Sequence, residues 1–188
     1  ITDSIAMTKT ESAHLSEEEA RLLYQTDDAA HDFDHILRVA RMAVFIAERE
    51  GARVEIVRLA ALLHDVPVSH NTDALENAAH TGAQPPNARQ LHHLAAADFA
   101  RDYLHARGLP AADCALIAEA IEAHRFRDRT RTPQTLEAKV LYDADKLDSI
   151  GAIGIARTFA YAGHNSNRLF TESSARIAQR IAAQESAP

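Results

Sequence analysis

Residues 57–63, Val-Arg-Leu-Ala-Ala-Leu-Leu, are apolar almost all the way round a helix, and the next two residues are His64 and Asp65. A helix without a polar face has to be enclosed by other elements. The rest of the chain offers only helices for that purpose. Ser16 and Glu19 form a capping box that predicts a helix from Glu17 to about Gln25. Ile36, Val39, Ala40, Ala43, Ile46 and Ala47 recur at helical spacing, so a helix is expected from Phe33 to Glu50, with Gly51 as its stop. The apolar helix itself is expected from Glu55 to His64, ended by Pro67. Ser69 to Asn87, polar and carrying Pro85-Pro86, reads as the longest loop. Further helices are expected from Ala88 to Arg107, closed by Gly108, and from Pro110 to His124. Thr132-Pro133 reads as the start of another, which carries Leu136, Val140, Leu147 and Ile150 and runs on through Gly151 and Gly154. Those two glycines weaken its middle and let another backbone approach closely. A last amphipathic helix is expected from Glu172 to Ala183. No strand alternation of useful length and no internal repeat is present. The expected fold is therefore all-α, a single compact bundle of about seven helices.

The chain has 188 residues, 46% of them hydrophobic, which suits one domain. Residues 16–188 are assigned to it, and residues 1–15 to an unstructured N-terminal segment. Met7 reads as a natural start, so residues 1–6 are expected to be a cloning remnant. The apolar runs, such as Leu59 to Leu63, fall far short of the roughly 20 residues of a spanning helix. The N-terminus lacks a basic start and an apolar stretch, so the expected location is cytoplasmic and no membrane partner is expected.

Composition excludes several chemistries. Cys114 is the one cysteine, so an internal disulfide and a cysteine-based zinc site are ruled out. Tryptophan is absent, aromatics are 5%, and the net charge is -7. A base-stacking platform and a global basic footprint are both missing, so a nucleic acid polymer is not expected as a partner. Eleven histidines are present, and histidine is the commonest metal ligand. What matters is whether they gather.

Several of them fall where chemistry is plausible. His31 and His35 lie four residues apart at the start of one helix and share a face. His64-Asp65 ends the most apolar helix, where an unpaired buried charge is costly. Asp143, Asp145 and Asp148 cluster as DADKLD on a helix that is otherwise apolar in part. Asp143 and Asp145 lie on opposite sides of that helix, so at least one should be buried and in need of a cation or donors. His124 ends the preceding helix. Imidazoles and carboxylates together form a mixed N/O set suited to Mn, Fe, Co, Ni, Zn or Mg.

Three ordered motifs then carry a resemblance: HDFDHILRV from His31, AALLHD from Ala60, and EAKVLYDADKLDSIGAIGIAR from Glu137. In this order they resemble the HD-domain metal-dependent phosphohydrolases, most closely the stand-alone bacterial members of roughly this length. The similarity extends from about Asp27 to Tyr161. It implies a divalent metal ion held by His35, His64, Asp65 and Asp145, with Asp143 orienting a ligand histidine from outside the ligand set. It implies hydrolysis of a phosphoester or phosphoanhydride bond of a small substrate, a nucleotide being favoured, by attack of a metal-bound water. Asp65, His31 and His124 are the candidate catalytic groups, and Lys146, Arg38 and Arg157 the candidate phosphate contacts. Val66 to Asn71 holds no acidic residue that could serve as general base, so Asp65 is left to share that part, with Asp73 and Glu76 the nearest alternatives.

A single metal is expected, because His80, His92 and His93 show no paired-ligand pattern, and one of His92 and His93 should face solvent. His14, His70, His105 and His164 read as surface residues, and Cys114 as a small buried apolar one. Two other readings stay open: a di-iron oxygenase on the same fold, which needs additional ligands, and a non-catalytic module that senses a nucleotide. Homo-oligomerisation is also left open.

Overall fold

The computed structural model describes residues 15–24, 33–67, 88–125, 131–164, 166 and 178–179. Among them are seven helices and no strand. We label these α1 (Glu17–Arg21), α2 (Phe33–Glu50), α3 (Val54–Leu63), α4 (Ala88–Ala106), α5 (Ala111–Ala123), α6 (Leu136–Asp148) and α7 (Gly151–His164).

The apolar helix α3 is the centre of the bundle. It packs against α1, α2, α4, α5 and α6. Ile56, Val57, Leu59, Ala60, Ala61, Leu62 and Leu63 are all buried. Each fully buried leucine contributes about 1.5–3 kcal/mol relative to an exposed one. The helices packed against it bury many alanines: Ala40, Ala43 and Ala47 on α2, Ala118 and Ala120 on α5, Ala138 and Ala144 on α6. Such small side chains let helix axes approach closely, which brings the helix ends together as well. Tyr24 adds a buried polar tie by donating its hydroxyl to the carbonyl of Leu62 at 2.8 Å.

Helix ends follow the chemistry of their caps. Ser16 and Glu19 form the reciprocal capping box in α1. That helix stops at Arg21 rather than near Gln25, because Leu23 and Tyr24 donate to carbonyls only three residues back and Tyr24 turns into the core. At the end of α2 the amides of Gly51 and Ala52 both donate to the carbonyl of Ala47, and Gly51 takes φ +76°.

The expected start at Thr132-Pro133 is corrected. Thr135 caps α6, its hydroxyl accepting from the amide of Ala138 at 3.2 Å. The Thr132 hydroxyl is occupied instead by the side-chain amide of Gln134. The long helix expected across Gly151 is two helices. The α-helical run ends at Asp148, and Gly151 takes φ +67° as α7 begins. A Cβ on Gly154 would run into the carbonyl of Ser149, so this glycine does permit a close backbone approach. Leu136, Leu147 and Ile150 are exposed, and α6 buries Ala138, Val140, Leu141 and Ala144 instead. Of the segment expected to be helical at Glu172–Ala183, residues 178–179 are described and helical. Residues 1–14 and the whole loop at Ser69–Asn87 lie outside the described residues, while Leu15 is buried in the core. No helix among the described residues is long and apolar enough to cross a membrane.

Candidate metal centre

Histidine 64 occupies the C-cap of α3, and His124 the C-cap of α5. The last carbonyls of a helix lack intrahelical partners. Each of these rings supplies one, His64 Nδ1 donating to the carbonyl of Ala61 at 2.7 Å and His124 Nδ1 to that of Ile121 at 2.6 Å. A carbonyl can only accept, so Nδ1 carries the proton and the lone pair of the neutral ring sits on Nε2. The third ring, His35, rises from the first turn of α2. Its Nδ1 donates to Asp148 Oδ2 at 2.7 Å. All three imidazoles are thereby fixed in the same sense, with Nε2 turned away from its anchor.

What the Nε2 atoms face are carboxylates. His35 Nε2 lies 3.5 Å from Asp145 Oδ1 and 3.9 Å from Asp65 Oδ2. His64 Nε2 is 3.6 Å from Asp65 Oδ2, and His124 Nε2 is 3.5 Å from Asp65 Oδ1. The lone pair of the His64 ring therefore points at a carboxylate oxygen at a spacing too long for a hydrogen bond. His64 Nε2 and Asp65 Oδ1 are buried without a hydrogen-bond partner among the described residues. One ligand atom each from His35, His64 and Asp145 lies within 4.8 Å of the others, and so does one each from His64, Asp65 and His124. With metal–ligand bonds of about 2.0–2.2 Å, such mutual spacing suits donors around one cation. The residues fit a divalent ion.

Electrostatics point the same way. Burial pushes the His64 imidazole down to about 4, outweighing the nearby Asp65, so its Nε2 is unprotonated at neutral pH. Burial alone would raise Asp65, but the imidazoles of His64, His124 and His92 around it leave it well below the usual carboxylate range. Asp145 is likewise lowered against the effect of burial, chiefly by His64 and Lys146. The C-termini of α3 and α5, each carrying partial negative charge, converge on the same point.

Of the residues expected at the site, His35, His64, Asp65, Asp145 and His124 are brought together. Lys146 stands at their edge, its Nζ donating to the carbonyl of His124 at 3.0 Å and to Asp145 Oδ2. Asp143 is not brought to the site. It is exposed on the opposite side of α6, which corrects the part expected of it as the group orienting a ligand histidine. Asp148 takes that place on His35. Arg38 and Arg157 reach the same Asp148 carboxylate, on the Nδ1 side of His35. His31, Asp73, Glu76 and His80 lie outside the described residues, as do His14 and His70. His105 and His164 are exposed, and Cys114 is buried, as expected.

Two residues of the cluster were missed. Asp148 lies four residues after buried Ala144 and seven after buried Leu141, a spacing that puts it on the core face of α6. His92 stands with its Nε2 3.3 Å from Asp65 Oδ1 and its ring 5.7 Å from that of His124. Its neighbour His93 is buried beside both rings. Ala96, Ala97 and Ala100 continue this core face of α4 at helical spacing, and that was the available signal.

The chain matches the family model of the HD domain over residues 32–150. The uncharacterized protein YpgQ of Bacillus subtilis is 33% identical over 149 residues, 77% of this chain. The matched stretch spans 64% of that protein's length. A crystal structure of B. subtilis YpgQ in complex with ADP superposes with a TM-score of 0.57 at 28% identity, covering 88% of this chain and 73% of the other. That of a predicted HD superfamily hydrolase from an uncultured Thermotogales bacterium gives a TM-score of 0.54 at 31% identity, covering 93% and 91%.

Proposed function

The chain belongs to the HD-domain family, and on that premise we propose that it is a metal-dependent phosphohydrolase acting on a small phosphorylated substrate, with a nucleotide as the favoured class. The observation that carries this reading is the convergence of three imidazole Nε2 atoms on the carboxylates of Asp65 and Asp145, with the buried His64 Nε2 and Asp65 Oδ1 lacking a hydrogen-bond partner among the described residues. His35, His64, Asp65 and Asp145 would hold the ion. When bound, a divalent cation supplies Lewis acidity, polarising a phosphoryl oxygen and making water a nucleophile near neutral pH.

The protein's own groups do the rest. The low affinity of His64 for protons leaves its lone pair available at neutral pH. Lys146, clamped between the carbonyl of His124 and Asp145, presents fixed positive charge at the edge where a phosphate would sit. His124 Nε2 and Asp65 Oδ1 are acceptors side by side, placed to take and pass on the proton of the attacking water. Arg38 and Arg157 are committed to Asp148, and their part runs through that carboxylate. The nucleotide class is supported by the ADP bound to YpgQ.

His92 and His124 flank Asp65 on the side away from His35, so the cluster has ligands in reserve for a second ion. Metal content per chain separates one ion from two, and two irons with an oxo-bridge absorption would favour the oxygenase reading. The deciding experiment loads metal-stripped protein with Mn, Fe, Co or Mg. It then screens nucleoside mono-, di- and triphosphates and an aryl phosphate, identifying the products. His64→Ala and Asp65→Ala should abolish metal uptake and phosphate release while keeping helix content. Full hydrolysis by either variant refutes the assignment, and nucleotide binding without turnover in every metal form favours the sensing module.

A further inference from the structure

We propose that Asp148 is a positioning residue of the metal centre, through which α2 and α7 jointly hold His35 toward the ion. The proposal rests on the metal-centre reading above. Its starting point is the number of donors gathered on one carboxylate that is 7% exposed. Oδ2 accepts from His35 Nδ1 at 2.7 Å, from Arg157 Nη1 at 2.9 Å and from Arg38 Nη2 at 3.1 Å. Oδ1 accepts from Arg38 Nε at 2.7 Å.

The two bonds from Arg38 form a bidentate fork, which fixes the plane of the carboxylate as well as its position. A carboxylate fixed in its plane sets the line along which His35 Nδ1 can donate, and with it the orientation of the ring. It also sets the tautomer. An ionised carboxylate only accepts, so the proton stays on Nδ1 and the Nε2 lone pair stays turned toward Asp145 and Asp65. Without that acceptor the ring can carry its proton on Nε2, where it blocks coordination.

Arg157 brings in a second element. It comes from α7, the helix that begins after the break at the end of α6 and buries only Gly154 among its residues. No α7 residue belongs to the ligand-spaced groups. Through Arg157 and Asp148, however, the placement of α7 is transmitted to His35.

The test uses the full metal-stripped chain and two readouts that need no substrate. Nitrogen-15 spectra of labelled histidine report the His35 tautomer, and calorimetric titration with Mn²⁺ reports affinity. Wild type should show the proton on Nδ1 of His35. Asp148→Ala should lose that single tautomer and bind Mn²⁺ about 10–100-fold more weakly. Asp148→Asn should fall between, because its one oxygen still accepts from His35 while its amide group faces Arg38. Arg157→Gln should keep the tautomer and lose less affinity than Asp148→Ala. If Asp148→Ala fails to fold by circular dichroism, the isosteric Asp148→Asn carries the test. Unchanged affinity and tautomer overturn the proposal. So does weakened affinity with the His35 tautomer intact, which would reduce Asp148 to a packing role. If wild type binds no Mn²⁺, the metal-centre reading fails, and the tautomer spectra still decide what Asp148 does to His35.

Discussion

At the scale of single residues, the two nitrogens of each imidazole have separate tasks. Nδ1 of His64 and His124 closes a helix end, Nδ1 of His35 meets a carboxylate, and the three Nε2 atoms are left to the site. The carboxylates divide just as sharply. Asp145 faces His35, whereas Asp143, two residues away, faces solvent. Asp145→Asn is therefore expected to lose the metal and Asp143→Asn to retain it, as measured by metal content after dialysis. Equal content in the two variants would refute the assignment. Acid sensitivity follows from the same residues. The folded His64 ring takes a proton only near 4, whereas an unfolded one takes it near the ordinary 6.5. Over that interval the unfolded chain binds more protons, so stability of the metal-free protein falls as pH drops from about 6.5 toward 4. Asp65, Asp145 and Asp148 are held low, and their contribution is lost in the same direction at still lower pH. Urea midpoints of metal-stripped protein should fall steadily from pH 7.5 to 4.5. A flat profile would show that His64 is not buried as a neutral ring.

At the scale of elements, the caps explain both the successes and the failures of reading the sequence. The limits of α2 were legible to the residue, because its apolar spacing and Gly51 agree. So was the central place of α3, since a helix apolar on every side has nowhere else to go. The start of α6 was not, because two threonines stand three residues apart and only the folded loop shows that Gln134 occupies Thr132. Thr135→Ala should therefore cost about 1 kcal/mol, and Thr132→Ala much less, in the urea midpoint. The reverse ranking would restore the earlier start. The division of α6 from α7 escaped for a related reason. Glycine in a helical pattern signals weakness, but only the left-handed φ of Gly151 shows that the chain breaks there. In the metal cluster, Asp148 and His92 were hidden because pairwise spacing along one helix does not tell which helix faces it across the core.

At the scale of the whole molecule, the metal centre is built from the ends of α3 and α5 and the inner faces of α2 and α6, all anchored in one alanine-rich core. The ion adds to a fold that already has a complete apolar centre. The metal-stripped protein should stay helical, and metal should raise its melting temperature. With free ion at a hundred times its Kd the gain is about 2.7 kcal/mol, and the Asp145→Asn variant should show none of it by differential scanning calorimetry. A shift in that variant equal to wild type would place the ion elsewhere. The double duty of His64 and His124 has one more consequence, for descent rather than chemistry. A lineage that abandoned the reaction would still gain from keeping both histidines, since each closes a helix end whether or not an ion is bound. Asp145 carries no such structural obligation to the backbone, so decay of the activity would be recorded first at the carboxylate. Among divergent sequences that share this fold, the two histidines are therefore expected to outlast the aspartate, and an alignment in which they are lost together would refute this.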